Sequence, residues 1–161
     1  MEFLVQTEVR LPPTMGAPER EQLVAAEHKR GVELTRLIVE NGPLSALAGC
    51  HLVRQVAHGL AEAAKQGVIH RDLSAKNVLV DGDAVKIINF PIAVPFSERV
   101  QGVPEFLAPE QVEGKPADQR SSIYSLGALL YFAVTGRPPF VGAAADVHRA
   151  HLSQEPVRAS T

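Results

Sequence analysis

The chain has 161 residues, 45% of them apolar and 21% charged, with a net charge of −2 at neutral pH. That balance excludes a disordered polyelectrolyte and offers no basic surface for gripping a phosphate backbone, so no nucleic acid partner is expected. The length suits one cored domain or a piece of a larger one.

The start, Met1 to Glu8, lacks the basic residues and apolar run of a signal peptide, and no segment approaches the roughly 20 apolar residues that span a bilayer. A single cysteine, Cys50, forms no internal disulfide, suits a reducing cytosol, and reads as a small packing residue on a helix. A cytoplasmic protein with no membrane segment in this chain is the expectation. Phe3-Leu4-Val5 reads as a strand that needs pairing neighbours, and residues 10–16, with Pro12, Pro13 and Gly16, read as a loop. Pro18 suits a first helical turn, and a polar helix from about Pro18 to Arg30 ends at Gly31. Residues 12–31 thus read as a surface insertion.

Val32 to Val39 is expected to form a short helix with Leu34, Leu37 and Ile38 on one side, closed by Asn41-Gly42-Pro43. Ser45 caps a long helix to about Gln66, with Leu52, Val53, Val56, Leu60 and Ala64 at helical spacing, and His51 and His58 exposed on it. Next comes a concentration of polar chemistry: His70, Arg71, Asp72, Lys76 and Asn77. Val78-Leu79-Val80 and Val85-Lys86-Ile87-Ile88 follow as two strands about the turn Asp81-Gly82-Asp83. Prolines 91, 95, 104 and 109 are expected to keep residues 91–109 irregular, Ser121 to Thr135 reads as a helix buried on all sides, and Ala143 to Leu152 as a last short helix. His148 and His151 stand about a turn apart, a spacing that can bind zinc, but without a third ligand nearby they read as a surface pair.

In order along the chain, His70-Arg71-Asp72-Leu73 with Asn77, Ala108-Pro109-Glu110, Tyr124-Ser125-Leu126-Gly127 and Gly136-Arg137-Pro138-Pro139-Phe140 resemble the C-terminal lobe of a eukaryotic-type protein kinase of the bacterial Ser/Thr branch. The resemblance covers about Phe3 to Val157. It implies a mainly α fold with a small β-hairpin, an incomplete kinase lobe in which residues 1–161 form one partial domain of hinge and C-lobe. It implies Asp72 as the base that orients a hydroxyl, Lys76 as the cation on the transferring phosphoryl group, and Asn77 as a magnesium ligand. Thr7 to Val9 would meet adenine. His70 would pack under the loop, and Glu110 would pair with an arginine from later helices; Ser97, the one hydroxyl between Asn89 and Glu110, is a candidate for phosphorylation with Arg71 as the receiving cation, but the favoured reading is an ordinary loop serine.

Four departures bear on chemistry. Asn89-Phe90-Pro91 stands where the family has Asp-Phe-Gly, so a neutral amide replaces the carboxylate that holds magnesium, and Asn89 is a degenerate metal ligand. Pro91 stiffens a hinge that is glycine in the family. Gly102-Val103 lacks the usual threonine hydroxyl, and Ser122 replaces the aspartate that anchors the His-Arg-Asp turn. No glycine-rich phosphate loop precedes Phe3. Three readings follow: a degenerate kinase-like module that binds a protein partner, or ATP weakly; part of an active Ser/Thr kinase using Mg2+ and ATP on a protein substrate; or a remnant that folds poorly. If the chain is inactive it needs no cofactor.

Overall fold

The computed structural model describes residues 31–90 and 102–159. The expected strand Phe3-Leu4-Val5, the helix Pro18–Arg30, the adenine contacts Thr7 and Val9, Pro91 and Ser97 lie outside them. Strand β1 (Val32–Glu33) leads into helix α1 (Leu34–Asn41) and then α2 (Ala46–Lys65). A short 3-10 turn, Ala75–Asn77, feeds strands β2 (Val78–Asp81) and β3 (Ala84–Ile87). A second 3-10 turn, Pro104–Phe106, precedes helices α3 (Pro109–Val112), α4 (Gln119–Thr135) and α5 (Ala144–Ser153). The described residues are therefore mainly helical with one small sheet.

The sheet is antiparallel in the order β1-β2-β3, with Val32 opposite Val80 and Val78 opposite Ile87. The expected hairpin is present, but Val32 and Glu33 depart from the helix expected at Val32 to Val39. They pair with β2 and push the start of α1 to Leu34, because β-branched Val32 gains a ladder partner there that a free helix end cannot supply. The long helix forms as expected: Ser45 Oγ accepts the Ala48 N–H at 3.3 Å and caps it. Cys50 is exposed on α2 rather than packed. The helical period places Gly49, Leu52, Val56, Gly59 and Ala63 on the buried face, and Cys50 falls outside it.

One core gathers Leu34 and Ile38 from α1, Leu52 and Val56 from α2, Val78 and Ile87 from the sheet, and Leu129 and Phe132 from α4. Leu73 and Ala75 join the same cluster, so the polar loop is pinned through its own apolar residues. Their removal from water supplies the stabilisation that holds the loop's shape. α4 is not buried all round: Ser121, Ser125, Ala128, Leu129, Phe132 and Ala133 form its inner face, while Ile123 is 68% exposed. Where an irregular segment is expected between residues 91 and 109, Pro104 and Pro109 each open a short helical turn, as proline at a first turn can. No helix among the described residues is long and apolar enough to cross a membrane.

α2 and α4 meet at Gly49, where an added Cβ would lie 2.5 Å from Val134 Cγ1 and 3.3 Å from Leu130 Cδ1. Glycine costs a helix interior up to about 1 kcal/mol relative to alanine, so its presence here serves the close approach. Gly49→Ala is expected to lower stability by about 1–3 kcal/mol through overpacking despite alanine's better helix propensity. Adding Val134→Ala should recover part of that loss, and urea unfolding of the two single variants and the double variant checks the coupling.

Candidate functional site

The site begins where α2 ends. After Lys65 the chain turns through Gly67, and His70, 1% exposed, enters the interior. Its Nε2 lies 2.9 Å from the Ile88 carbonyl and therefore carries a proton, and its ring packs 4.7 Å from that of Phe90. Burial holds the His70 pKa below its ordinary value of 6.5, against the opposing pull of the Ile88 carbonyl and of Asp72.

Arg71 follows in the left-handed region at φ +57°, and the Asp72 N–H reaches back to the His70 carbonyl at 2.6 Å. This tight three-residue turn is strained for a residue with a side chain, so the surroundings must hold it. One holder is Gln111, whose Nε2 donates to the Arg71 carbonyl at 2.7 Å while its Oε1 accepts the Ala108 N–H at 3.2 Å. The turn directs the Asp72 carboxylate outward, where it is 35% exposed. Asp72 Oδ1 accepts the Val103 N–H at 3.1 Å, Oδ2 accepts from Asn77 Nδ2 at 3.3 Å, and the Lys76 ammonium stands 3.8 Å away.

Val103 supplies no hydroxyl, yet the segment still bonds the loop through its backbone. Gly102 makes the approach possible: it has φ +121°, and an added Cβ would lie 2.8 Å from Leu107 Cδ2 and 3.1 Å from Asp72 Oδ1.

Asn77 sits beneath Asp72 and is 2% exposed. Its Nδ2 donates to the Asp72 carbonyl at 2.8 Å as well as to Oδ2. Both partners are acceptors, which fixes the amide with Oδ1 turned the other way. There the Asn89 Nδ2 donates to it at 2.9 Å. Reversing the Asn89 amide would set two oxygens against each other, so the chain of bonds from Asp72 determines both orientations. Asn89 reaches this place from a left-handed conformation, φ +61°, which asparagine tolerates better than most residues. The structure thus brings Asp72, Lys76, Asn77 and Asn89 together with His70, Arg71 and Phe90 around them.

Glu110 stands apart from this group. Its Oε1 receives a hydrogen bond from the Ser121 hydroxyl at the head of α4, and Ser121 Oγ also accepts the Asp118 N–H at 3.1 Å. Ser122 lies in the wall of a cavity of about 380 Å³ between α2 and α4, with Leu60, Val68, His70, Ile123 and Leu126. The expected surface pair of histidines divides: His151 is 5% exposed, held between Tyr124 and the Pro104 carbonyl, because its position on α5 faces α4 and the 104–106 turn. His51 and His58 are exposed as expected. Among the described residues no group of three or more His, Cys, Asp or Glu side chains could hold a metal ion. Sequence reading missed Gln111 and the Val103 amide. Gln111 had a signal in the spacing from Ala108, that of a residue three positions into a helix reaching back to the N-cap amide.

Residues 9–159 match the family model for the protein kinase domain. Over 144 residues the chain is 40% identical to the serine/threonine-protein kinase PkaA of Streptomyces coelicolor, covering 81% of this chain and 26% of that protein. A probable serine/threonine-protein kinase of Corynebacterium efficiens is 35% identical over 144 residues, covering 83% of this chain and 22% of the relative. PknB of Mycolicibacterium smegmatis is 32% identical over 145 residues, covering 83% and 23% respectively. The chain spans about a quarter of the length of these relatives.

Because the folded His70 pKa lies below the unfolded value near 6.5, the unfolded chain takes up a proton first as the pH falls. The neutral ring's contribution to stability is complete above that value and is lost as the pH falls from there through the lower folded pKa. Urea midpoints should therefore decline from neutral to mildly acid pH, and His70→Gln should flatten the decline whatever its own effect on the midpoint. A midpoint that rises on acidification would contradict the assignment.

Proposed function

The chain belongs to the protein kinase family, and on that footing we propose that it is a kinase-like binding or regulatory module with little or no phosphoryl transfer of its own. The observation that carries this reading is the hydrogen bond from Asn89 Nδ2 to Asn77 Oδ1. Magnesium is a hard cation that binds through oxygen, chiefly anionic oxygen, in a near-octahedral shell. Here the oxygen that would ligate it faces an N–H donor, and the second ligand position is a neutral amide. The residues present do not fit the ion, and without it the charge on a transferring phosphate lacks its main counterweight.

What remains supports binding. The Asp72 and Lys76 side chains are 35% and 53% exposed, close enough to offer a carboxylate and an ammonium side by side. The loop carrying them is rigid, pinned by Leu73 and Ala75 in the core. A protein partner with complementary charge, or ATP held weakly and without metal, fits that face. The partial-domain reading, with residues 12–31 as a surface insertion, belongs to the same proposal.

A second reading has its own observation. Asp72 keeps a backbone donor on Oδ1 and a cation near Oδ2, an arrangement suited to orienting a hydroxyl, so the chain could be part of an active Ser/Thr kinase that uses Mg2+ and ATP on protein hydroxyls. Incubation with Mg-ATP and serine- or threonine-bearing protein substrates separates the two. The proposal expects no transfer that depends on Asp72, whereas transfer abolished by Asp72→Ala would establish the second reading. Asn89→Asp is expected to give the chain measurable Mn2+ binding by electron paramagnetic resonance, with the unaltered chain binding far less; equal binding by both would remove the amide bond as the obstacle.

A further inference from the structure

Gln111 stands on α3, and both ends of its side-chain amide are engaged. Its Oε1 accepts the N–H of Ala108, a fully buried residue, at 3.2 Å. Its Nε2 donates to the Arg71 carbonyl at 2.7 Å, in the loop that carries Asp72. An N–H on one side and a carbonyl on the other leave the amide only one way round.

The carbonyl that Gln111 holds is half of a rigid unit. The Arg71 C=O and the Asp72 N–H belong to one planar peptide, and that N–H is already tied to the His70 carbonyl at 2.6 Å. Gln111 thus fastens the second side of the plane. With one side free, the plane could swing and let Arg71 leave its left-handed conformation at φ +57°, which is unfavourable for a residue with a Cβ. The Asp72 side chain departs from the end of this plane. Its point of departure decides whether Oδ1 meets the Val103 N–H, which it does at 3.1 Å.

We propose that Gln111 is a positioning residue for Asp72: its donor arm holds the strained Arg71 peptide, and its acceptor arm seats that donor on α3. The two arms have separable duties. Donation acts on the loop, whereas acceptance acts at the head of α3, where the buried Ala108 N–H would otherwise go unmet. A residue that only capped α3 would need the oxygen and not the nitrogen. This inference goes beyond the proposed function. It concerns how Asp72 is aimed and stands whether or not the face binds a partner.

Amide hydrogen exchange on the full chain at neutral pH tests it with two variants. Gln111→Glu keeps an oxygen for Ala108 and offers no donor to Arg71, while Gln111→Lys offers a donor and no acceptor. In Gln111→Glu the Val103 amide should lose about 5-fold or more of its protection, the equilibrium worth of one hydrogen bond, and the Ala108 amide should keep its own. In Gln111→Lys the pattern should reverse, with Ala108 losing protection and Val103 retaining it. The Leu44 amide, bonded to the Ala133 carbonyl at 2.8 Å, serves as the reference for general loosening. Relative to Leu44, Val103 protection that is unchanged in Gln111→Glu, or lost in Gln111→Lys as fully as in Gln111→Glu, would overturn the proposal.

Discussion

Asn77 has every polar group engaged while almost wholly buried. Its backbone N–H meets the Ser74 carbonyl at 2.9 Å, its carbonyl takes the Ile88 N–H at 3.0 Å, its Nδ2 is shared between two oxygens of Asp72, and its Oδ1 takes the Asn89 amide. Leaving any one of these unmet in the interior would cost about 1–3 kcal/mol. The residue therefore joins the tight turn at Arg71, the end of β3 and the Asn89 position into one network. The orientation of Asp72 depends on that network, and so does the availability of the oxygen that a metal would need.

The charge balance follows from the same bonds. Asp72 is the carboxylate of this group, with Lys76 beside it, while Asn77 and Asn89 are neutral. An aspartate in place of Asn89 would set an anionic oxygen against Asn77 Oδ1, an arrangement that calls for a cation between them. Asparagine answers the same oxygen with its own N–H and closes the network without an ion. Family membership and this closed network are thus compatible: the loop keeps its shape through Leu73, Ala75 and Gln111, none of which depends on a metal.

Local spacing made much of this legible. The hairpin needed only the apolar runs on either side of Asp81-Gly82-Asp83, and the cap at Ser45 and the stops at Gly42 and Gly136 act within a few residues of where they are written. The strand at Val32 was not legible, because its partner Val80 lies far along the chain and a two-residue strand leaves no alternation to read. Gln111 reaches Arg71 and His151 reaches Pro104 across folds of the chain that no sequence period encodes. Ile123 shows the converse: an apolar helix looked buried all round, but the described core takes up only one side of it. In the site, the change from carboxylate to amide at Asn89 could be read directly. That the amide would occupy Asn77 Oδ1 required the geometry, since it depends on which way Asp72 turns the Asn77 side chain.

The side-chain amide signals of Asn77 and Asn89, followed by nuclear magnetic resonance during a titration with magnesium chloride, test the central claim most directly. If Asn89 holds Asn77 Oδ1, both NH2 groups should stay where they are as the ion is added, apart from small shifts shared with remote amides. Saturable, site-specific movement of both signals would show the oxygen passing from the amide to the metal, and would contradict the account.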